Sequence, residues 1–292
     1  MIVSENWRDF EVLDASDKEK LERWGDYLLI RPDPQVIWNT PKDKRLWGRH
    51  NARYHRSSKG GGHWDIVDLP EEWTISYPLA IGRDISFKLK PFAFKHTGVF
   101  PEQAANWDRV SLAIRGAGRP ISVLNLFAYT GGATLACAAA GASVTHVDAS
   151  KGMVGWAKEN AAISGLSEAP IRWLVDDCAK FVARELRRGR HYDAIILDPP
   201  SYGRGPKGEI WKIEQTIYPL LCDLSLLLSE EPLFILINSY TTGLQPAVLT
   251  YLLASSTDTE SSLISSDEIG LPVRESSLVL PCGASGFLSF SG

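Results

Sequence analysis

The sequence predicts an α/β protein in which a Rossmann-like domain with a parallel sheet follows a small β-rich domain. From about Ser122 onward, apolar runs alternate with helical segments, which indicates parallel strands covered by helices on both faces. Before about Pro91, the apolar runs are short, alternate with polar residues and are bounded by proline and glycine, as in antiparallel strands. We predict a β-rich domain over residues 1–94 and a second domain over residues 95–292.

Composition sets limits on the class of protein. The chain has 292 residues and a hydrophobic content of 44%, which is ordinary for a globular protein that buries a core. No apolar run approaches the length of a membrane span, and no basic-then-apolar leader opens the sequence. The four cysteines lie far apart, without the spacing of a zinc site or a disulfide framework. We expect a cytoplasmic protein that needs no metal and contacts no membrane.

The elements of the second domain can be assigned in order. Five apolar runs are predicted to be parallel strands: ISVLNLF, SVTHVDAS, IRWLVDD, YDAIILD and PLFILINSY. Helices are predicted between them, and two β-like runs after Ser261 predict an antiparallel closing pair. The connecting segment 94–110, FKHTGVFPEQAANWDRV, fits neither pattern.

The ends of the first two strands carry groups suited to a nucleoside. In an open parallel sheet, ligands bind beyond the carboxyl ends of the strands. The first strand runs into a tight turn in which Gly131 and Gly132 let the backbone approach a ligand at the start of a helix. The second ends in Asp148, which is placed to accept from both hydroxyls of an adenosine ribose.

The third and fourth strands also end in acidic groups. The third ends in Asp176 and Asp177, which can accept from an adenine amino group. The fourth ends in Asp198-Pro199-Pro200; since proline cannot donate to a β ladder, the strand stops there. Each aspartate alone could be a helix cap, but four successive strand ends with suitable groups predict a cofactor site.

Two cofactor classes compete for this site. The turn FAYTGGA lacks the spaced glycines of G-x-G-x-x-G that admit a pyrophosphate, which disfavours NAD. No phosphate-binding loop with its lysine is present either. S-adenosylmethionine contains adenosine and a carboxylate but no phosphate, and therefore suits the turn better.

A resemblance supports the same cofactor. In their order, the segment 94–110, the first two strands with their helices, VDDCAKFV and DPPSYGRG resemble the class I S-adenosylmethionine-dependent methyltransferases. Within that class, the chain resembles the group that contains the bacterial ribosomal RNA large-subunit methyltransferases I and K, most clearly over residues 95–240. The resemblance implies a seven-stranded class I methyltransferase domain.

The resemblance also assigns roles to residues. It implies that the segment 127–131 contacts the methionine part of the cofactor, Asp148 the ribose, and Asp177 with Cys178 the adenine, while Gln103 closes the pocket. The predicted cofactor-binding residues are Gln103, Phe127, Tyr129, Thr130, Gly131, Asp148, Ala149, Asp177, Cys178 and Asp198. The predicted catalytic residues, which would face the methyl acceptor, are Asp198, Pro199, Pro200 and Tyr202. Holding donor and acceptor in a reactive geometry is most of what methyl transfer requires.

Two departures from related patterns concern the acceptor. Enzymes that methylate amino groups with an Asp-Pro-Pro-aromatic motif place the aromatic residue directly after the second proline, whereas this chain has Ser201 there and Tyr202 next. Cytosine-5 methyltransferases need a cysteine nucleophile, and neither the fourth nor the fifth strand end supplies one. Cys282, predicted to lie in a loop, is a poor candidate. Nitrogen or oxygen is therefore favoured over carbon as the acceptor.

A basic segment suggests the substrate. Residues 42–59 contain seven lysines and arginines against one aspartate, although the net charge of the chain is −4. Aromatic residues lie among them up to Trp64, a combination that suits phosphate contact and base stacking. We expect RNA to bind residues 42–64. A solvated surface loop is the simpler alternative for this segment. For the chain as a whole, the alternatives are methylation of a small molecule or a protein side chain, and a non-catalytic cofactor-binding module.

Overall fold

The structure is a computed structural model, which describes residues 1–57, 61–92, 95–204 and 210–290. The strands in chain order are β1 (Ile2–Val3), β2 (Phe10–Ser16), β3 (Glu19–Trp24), β4 (Tyr27–Pro32), β5 (Ala52–Arg56), β6 (Gly62–Ile66), β7 (Trp73–Leu79), β8 (Arg83–Leu89), β9 (Ser122–Leu126), β10 (Ser143–Asp148), β11 (Ile171–Val175), β12 (Ala194–Leu197), β13 (Tyr202–Arg204), β14 (Ile210–Lys212), β15 (Phe234–Ser239), β16 (Ile264–Val273) and β17 (Leu278–Ser289). The α-helices are α1 (Lys44–Trp47), α2 (Ala104–Gly116), α3 (Gly132–Ala139), α4 (Lys151–Ile163), α5 (Cys178–Arg187), α6 (Ile213–Ser225) and α7 (Pro246–Thr257), and short 3₁₀ turns span Pro101–Gln103 and Ser261–Leu263.

The predicted parallel sheet is present in the C-terminal part. Its strands lie in the order β11, β10, β9, β12, β15, β17, β16. The first five are mutually parallel, and β17 runs antiparallel to both of its neighbours. The seven-stranded Rossmann-like fold and the antiparallel closing pair are thus confirmed. Because β10 and β12 lie on opposite sides of β9, the chain changes direction there, which is where such sheets bind ligands.

Helices cover both faces of this sheet because successive strand residues point to opposite sides. Val123, Ile196 and Leu236 face a core that includes side chains of α2, α3 and α4. Their neighbours Leu124, Ile195 and Ile235 face a second core, with side chains of α5, α6 and α7. The near-continuous apolar strands in the sequence are a consequence of this burial on two sides.

The N-terminal strands extend the same sheet. The antiparallel strands β2, β3 and β4 are followed by β5 and β6 at the far edge. β16 connects the two parts of the sheet, because it pairs with β1 over Ile2–Val3 and with β2 at Val12. The N-terminal region is therefore β-rich as expected. A division of the chain at residue 94 stays a prediction.

The hairpin formed by β7 and β8 lies outside this sheet and packs on a helix of the C-terminal part. The backbone of Lys88 accepts from Trp156 Nε1 at 2.8 Å and donates to Asn160 Oδ1 at 2.9 Å. Both partners lie on α4. The hairpin therefore holds the N-terminal region against the helical layer.

Several assignments differ from the sequence expectations. The connecting segment, which fits neither pattern, contains the 3₁₀ turn Pro101–Gln103 and most of α2, and α7 is a helix that the sequence analysis leaves unassigned. Cys282, expected in a loop, lies within β17. Among the helices of the described ranges, none is long and apolar enough to cross a membrane.

Candidate active site

A cavity of about 410 Å³ lies beyond the carboxyl ends of the parallel strands. A smaller cavity of about 50 Å³ adjoins it, and Phe100, Phe127, Tyr129 and Asp198 line both. The remaining wall of the large cavity is formed by His96, Asp148, Ala149, Asp177, Cys178, Ala179, Pro199, Pro200, Ser201, Gly203, Trp211 and Tyr240. Gln103 and Thr130 line the small cavity. Most of the predicted site residues therefore lie around one connected space.

The turn after β9 adopts an unusual backbone conformation. Phe127 and Tyr129 have φ values of 54° and 49°, which non-glycine residues rarely adopt, and Gly131 follows at 91°. Neighbouring elements hold this turn: the Tyr129 amide donates to Asp148 Oδ2 at 2.9 Å, and the Phe127 amide to Cys178 Sγ at 3.4 Å. Strained turns of this kind cluster at ligand sites.

The helix after this turn begins at Gly132, where a side chain does not fit. A Cβ there would lie 2.6 Å from Trp107 Cζ2 on α2. The preceding Gly131, although absent from the lining residues, sets the left-handed entry to the helix as its N-cap. The two glycines predicted from the sequence thus have different physical roles, one conformational and one steric.

Asp148 ends β10 and faces the large cavity. Its two carboxylate oxygens accept from the amides of Tyr129 and Ser150, at 2.9 and 2.8 Å. Burial raises the pKa of this carboxyl, and the two amides act in the opposite direction. The side chain is therefore held in one orientation with an edge toward the cavity.

Asp177 and Cys178 begin α5 on the same side of the cavity. Asp177 Oδ1 accepts from the Lys180 amide at 2.9 Å and caps the helix, while both residues line the cavity wall. Asp176 instead forms an ion pair with Arg184 on α5 and is not part of the wall. Of the two aspartates that end the third strand, the second is the one at the site.

The Asp198-Pro199-Pro200 turn follows β12 and is held from two sides. Trp211 Nε1 donates to the Pro200 carbonyl at 2.6 Å, and Ser201 Oγ lies 2.6 Å from Thr241 Oγ1. Tyr202 is 51% exposed in β13 and is not among the lining residues. Trp211, which lies in β14 opposite Gly203, is the aromatic residue of this hairpin at the wall.

A hydrogen-bond network fixes Gln103 at the floor of the small cavity. Its Nε2 donates to the Tyr240 hydroxyl at 2.7 Å, and its Oε1 accepts from Asn106 Nδ2 at 3.0 Å. Asn106 Nδ2 also donates to Asn238 Oδ1 at 3.0 Å. The network joins α2 to the end of β15 and restricts the positions of its four side chains.

Sequence reasoning missed part of the wall. Phe100, Trp211 and Tyr240 line the large cavity and are not among the residues predicted from the sequence. Phe100 lies between Tyr129 and Tyr240, with ring centroids 5.3 and 5.7 Å away, and Trp211 lies 5.0 Å from Phe127. The local signal that could have identified Phe100 is its position beside the Pro-Glu-Gln sequence.

The charge of the wall decides which cofactor fits. Among the lining residues described for the two cavities, there is no lysine or arginine. Burial lowers the pKa of His96 to about 4, and the nearby cations Arg31 and Lys95 contribute, so that this ring is neutral at pH 7. If a dinucleotide bound here, its negatively charged pyrophosphate would find no positively charged side chain among these lining residues. An adenosine suits this wall better, because the aromatic side chains can contact its base and the carboxyl groups can accept hydrogen bonds from its hydroxyl and amino groups.

Neither cysteine near the site is suited to attack a base. Cys178 is buried, and burial raises the pKa of its thiol. Burial also raises the pKa of the Cys282 thiol well above its ordinary value, and the charge of Glu102 adds to this. Both groups are therefore protonated at neutral pH, whereas the thiolate is the nucleophile.

The basic segment is only partly as expected. Lys42 and Arg53 form ion pairs with Glu19, at 2.8 and 2.6 Å. Trp47 and Tyr54 are buried, so the expectation that these aromatic side chains stack on bases is wrong: they pack inside the N-terminal region. The exposed cations of the described part of this segment are Lys44, Arg45, Arg49 and Arg56. Lys59, which the same expectation includes, lies outside the described residues.

An apolar cavity at the switch point of a parallel sheet, with acidic groups at successive strand ends, defines a Rossmann-like nucleoside-binding enzyme. A family model described as S-adenosylmethionine-dependent methyltransferase matches residues 34–255. The crystal structure of an S-adenosylmethionine-dependent methyltransferase from Agrobacterium tumefaciens has 36% sequence identity and a TM-score of 0.91, and the match covers 99% of this chain and 92% of that one. The chain belongs to the S-adenosylmethionine-dependent methyltransferase family, and its cofactor is S-adenosylmethionine.

Other relatives are more distant or longer. A methyltransferase structure from Streptococcus mutans, with 19% identity and a TM-score of 0.71, covers 97% of this chain and 76% of that one, and shares the fold. The ribosomal RNA large subunit methyltransferase K/L of Shewanella frigidimarina is 34% identical over 237 residues, which is 75% of this chain and 32% of that protein. Its counterpart from Pseudoalteromonas atlantica is 26% identical over 242 residues, which is 75% of this chain and 33% of that protein. This chain spans about a third of the length of these curated relatives.

Proposed function

We propose that the protein transfers a methyl group from S-adenosylmethionine to a nitrogen or oxygen atom of RNA, and that the RNA belongs to the large ribosomal subunit. The observation that carries the acceptor class is the sequence similarity to proteins named ribosomal RNA large subunit methyltransferase K/L. Exposed cations in the basic segment support it. The place of action would be the cytoplasm. We further propose that residues 1–94 form the RNA-binding part.

We infer that one set of residues holds the cofactor. The strained turn after β9 would contact its methionine end, Asp148 its ribose hydroxyls and the start of α5 its adenine. The members of the set are Gln103, Phe127, Tyr129, Thr130, Gly131, Asp148, Ala149, Asp177 and Cys178. When bound, S-adenosylmethionine supplies an electrophilic methyl group on a positively charged sulfur.

The acceptor would lie against the turn after β12. Asp198 would accept a hydrogen bond from the acceptor and orient its lone pair, and the two prolines keep this carboxylate and the turn carbonyls in place. Trp211 supplies the aromatic surface that the position after Pro200 lacks. Tyr202, on the outer side of the same hairpin, would contact the substrate outside the cavity. The cysteine chemistry favours nitrogen or oxygen over carbon.

Replacing Asp148 by alanine is expected to weaken S-adenosylmethionine binding by about tenfold to a hundredfold, because the ribose hydroxyls lose the carboxyl group that accepts their hydrogen bonds. Isothermal titration calorimetry with S-adenosylmethionine, and with NADH as a comparison ligand, measures this directly. Asp84→Ala, at an exposed carboxylate in β8, is the control. Equal affinity in the two variants, or a response to NADH, would contradict the assignment of this strand end.

Replacing Lys44, Arg45 and Arg49 together by glutamine is expected to weaken RNA binding and to reduce its dependence on salt. Removal of three phosphate contacts lowers the slope of log K against log salt by about 2 to 3. A matched control replaces three other exposed cations by glutamine: Lys158 on α4, Arg187 at the end of α5 and Arg190 just after it. If both triple variants bind ribosomal RNA fragments like the unchanged protein, methylation of a small molecule or a protein side chain becomes the better proposal.

A further inference from the structure

A further cavity adjoins the large one where Trp211 forms the wall. It has a volume of about 370 Å³ and is formed by residues of α5, β14 and α6. We call it the outer cavity. Asp177, Ala179 and Trp211 line both the outer and the large cavity, so that the two spaces share one wall. Because its volume is close to that of the large cavity, the outer cavity has room for a nucleoside.

Trp211 presents a fixed aromatic surface to the outer cavity. Its Nε1 donates to the Pro200 carbonyl at 2.6 Å, and its ring centroid lies 5.0 Å from that of Phe127. Phe127 lines the large cavity but not the outer one, so its contact leaves open the part of the indole that faces the outer cavity. The apolar wall continues over Ile210, Pro219 and Leu220. A flat ring held in this way is a surface on which a nucleobase can stack.

The helix α6 adds hydrogen-bond acceptors to this wall. Pro219 lies inside the helix and has no backbone N–H, so the carbonyl of Gln215, four residues earlier, lacks the donor that a helix otherwise provides. Both residues line the outer cavity, and so does Asp223, one turn further along the same helix. A ligand that donates N–H groups would therefore find acceptors along this face of α6.

The charge of the wall favours a base over a phosphate. Among the lining residues described for the outer cavity there is one cation, Lys180, against the two carboxyl groups of Asp177 and Asp223. A phosphate would therefore meet more negative than positive charge. An uncharged base with an amino group meets acceptors instead, and adenine, cytosine and guanine carry such a group, whereas uracil does not. Unpaired bases of RNA are commonly bound in this way, between an aromatic ring and polar groups at the base edge.

We propose that the outer cavity binds a second, unpaired nucleotide of the RNA, with its base stacked on Trp211 and its amino group toward Asp223. This inference rests on the proposed RNA substrate. The acceptor nucleotide would occupy the large cavity and the second nucleotide the outer one, with Trp211 between them. Because Trp211 is bonded to the Pro200 carbonyl, the second nucleotide also helps to hold the turn that faces the acceptor. The protein thereby recognises RNA sequence beyond the acceptor itself.

Thr216→Met places a longer apolar side chain in the outer cavity. Thr216 lines this cavity but not the large one, and its hydroxyl donates to the Lys212 carbonyl at 2.7 Å. Thr257→Met on α7 is the matched control, because that hydroxyl also donates to the carbonyl four residues earlier, at 2.7 Å, and Thr257 lines neither cavity. Both variants should bind S-adenosylmethionine like the unchanged protein, which shows that fold and cofactor site are intact.

An abasic scan locates the second nucleotide. In a ribosomal RNA fragment that the protein methylates, one nucleotide at a time is replaced by an abasic one, and binding is measured with S-adenosylhomocysteine in excess. For the unchanged protein and Thr257→Met, one position besides the acceptor should weaken binding by about fivefold to a hundredfold when its base is absent. In Thr216→Met the same position should have no effect, because the base no longer enters the cavity.

Free nucleosides test the cavity without RNA. With the cofactor site filled by S-adenosylhomocysteine, saturation-transfer nuclear magnetic resonance should show that adenosine and cytidine bind more tightly than uridine. Thr216→Met should weaken this binding by at least about fivefold, and Thr257→Met should not.

The two readouts separate the cavity from the substrate. If RNA is methylated but the abasic scan is the same in Thr216→Met and Thr257→Met, the outer cavity is not a nucleotide site, while the proposed function stands. If no ribosomal RNA is methylated but nucleoside binding is lost in Thr216→Met alone, the cavity is supported and the proposed substrate is wrong. If neither RNA methylation nor nucleoside binding is observed, both proposals are overturned.

Discussion

Replacing Asp198 by alanine is expected to lower the rate of methyl transfer by about 10²- to 10⁴-fold, because the acceptor loses its hydrogen-bonding and proton-accepting partner. The adjacent prolines and the contacts of Trp211 and Ser201 hold the turn without this side chain, so the fold should remain intact. Single-turnover transfer from radiolabelled S-adenosylmethionine to ribosomal RNA measures the effect.

Two further variants separate the roles of this residue. Asp198→Asn keeps a hydrogen-bonding side chain and should retain more activity than the alanine variant if orientation dominates. Ser201→Ala, in the same turn, is the control and should stay within about fivefold of the unchanged rate. An alanine variant at Asp198 with full activity would remove this residue from the reaction.

Replacing Glu22 by glutamine is expected to reduce the free energy of unfolding by about 3 to 5 kcal/mol, since the buried Arg31 and Lys20 lose the charged partner that they share. Glu22 is completely buried, and its oxygens accept from Arg31 Nε at 2.6 Å and lie 3.2 Å from Lys20 Nζ. Burial alone would raise the pKa of Glu22, but Arg31 and Lys20 outweigh it and lower the pKa from 4.5 to about 2. Its contribution is therefore complete above pH 4.5 and is lost as the pH falls toward 2.

Urea titration followed by tryptophan fluorescence measures this loss. The double variant Glu22→Met with Arg31→Met should be less destabilised than Glu22→Gln. Of the three charged groups, only Lys20 then remains, and it still lies near the carboxylate of Asp33. Glu275→Gln, at an exposed ion pair with Arg274, should cost less than about 1 kcal/mol. Equal stability of Glu22→Gln and Glu275→Gln would show that the buried cluster is not held by this charge.

The parts of the site that sequence reasoning could predict are those that follow directly from strand ends. Three aspartates lie at or directly after the end of an apolar run: Asp148, Asp177 and Asp198. Because the strands are parallel, these positions meet at one edge of the sheet. Trp211 could not be placed in this way, because its position depends on the hairpin of β13 and β14 folding back on Pro200. Phe100 also lines the site, but it lies in a segment with neither helical nor strand periodicity.

The fold shows a similar division. The seven strands of the C-terminal part have apolar patterns strong enough to predict, whereas α7 has polar residues scattered among apolar ones and no clear apolar face. The pairing of β16 with β1 and β2 could not be predicted, because it joins residues more than 250 positions apart. Pairing partners at such separations are selected by tertiary packing and leave no local trace in the sequence.

That pairing has a consequence for the order of events during synthesis. Ile2 and Val3 leave the ribosome before the other strands described here, yet their partners Ile269 and Gly270 are made 267 residues later. The strands β2, β3 and β4 can pair with one another early, while β15 waits for β17 before its second edge is covered. The hairpin of β16 and β17 therefore completes the sheet. Until it is inserted, one edge of β15 and one edge of β2 have no partner strand. Such distant closure makes folding slow, and the unfinished chain is the form most exposed to aggregation.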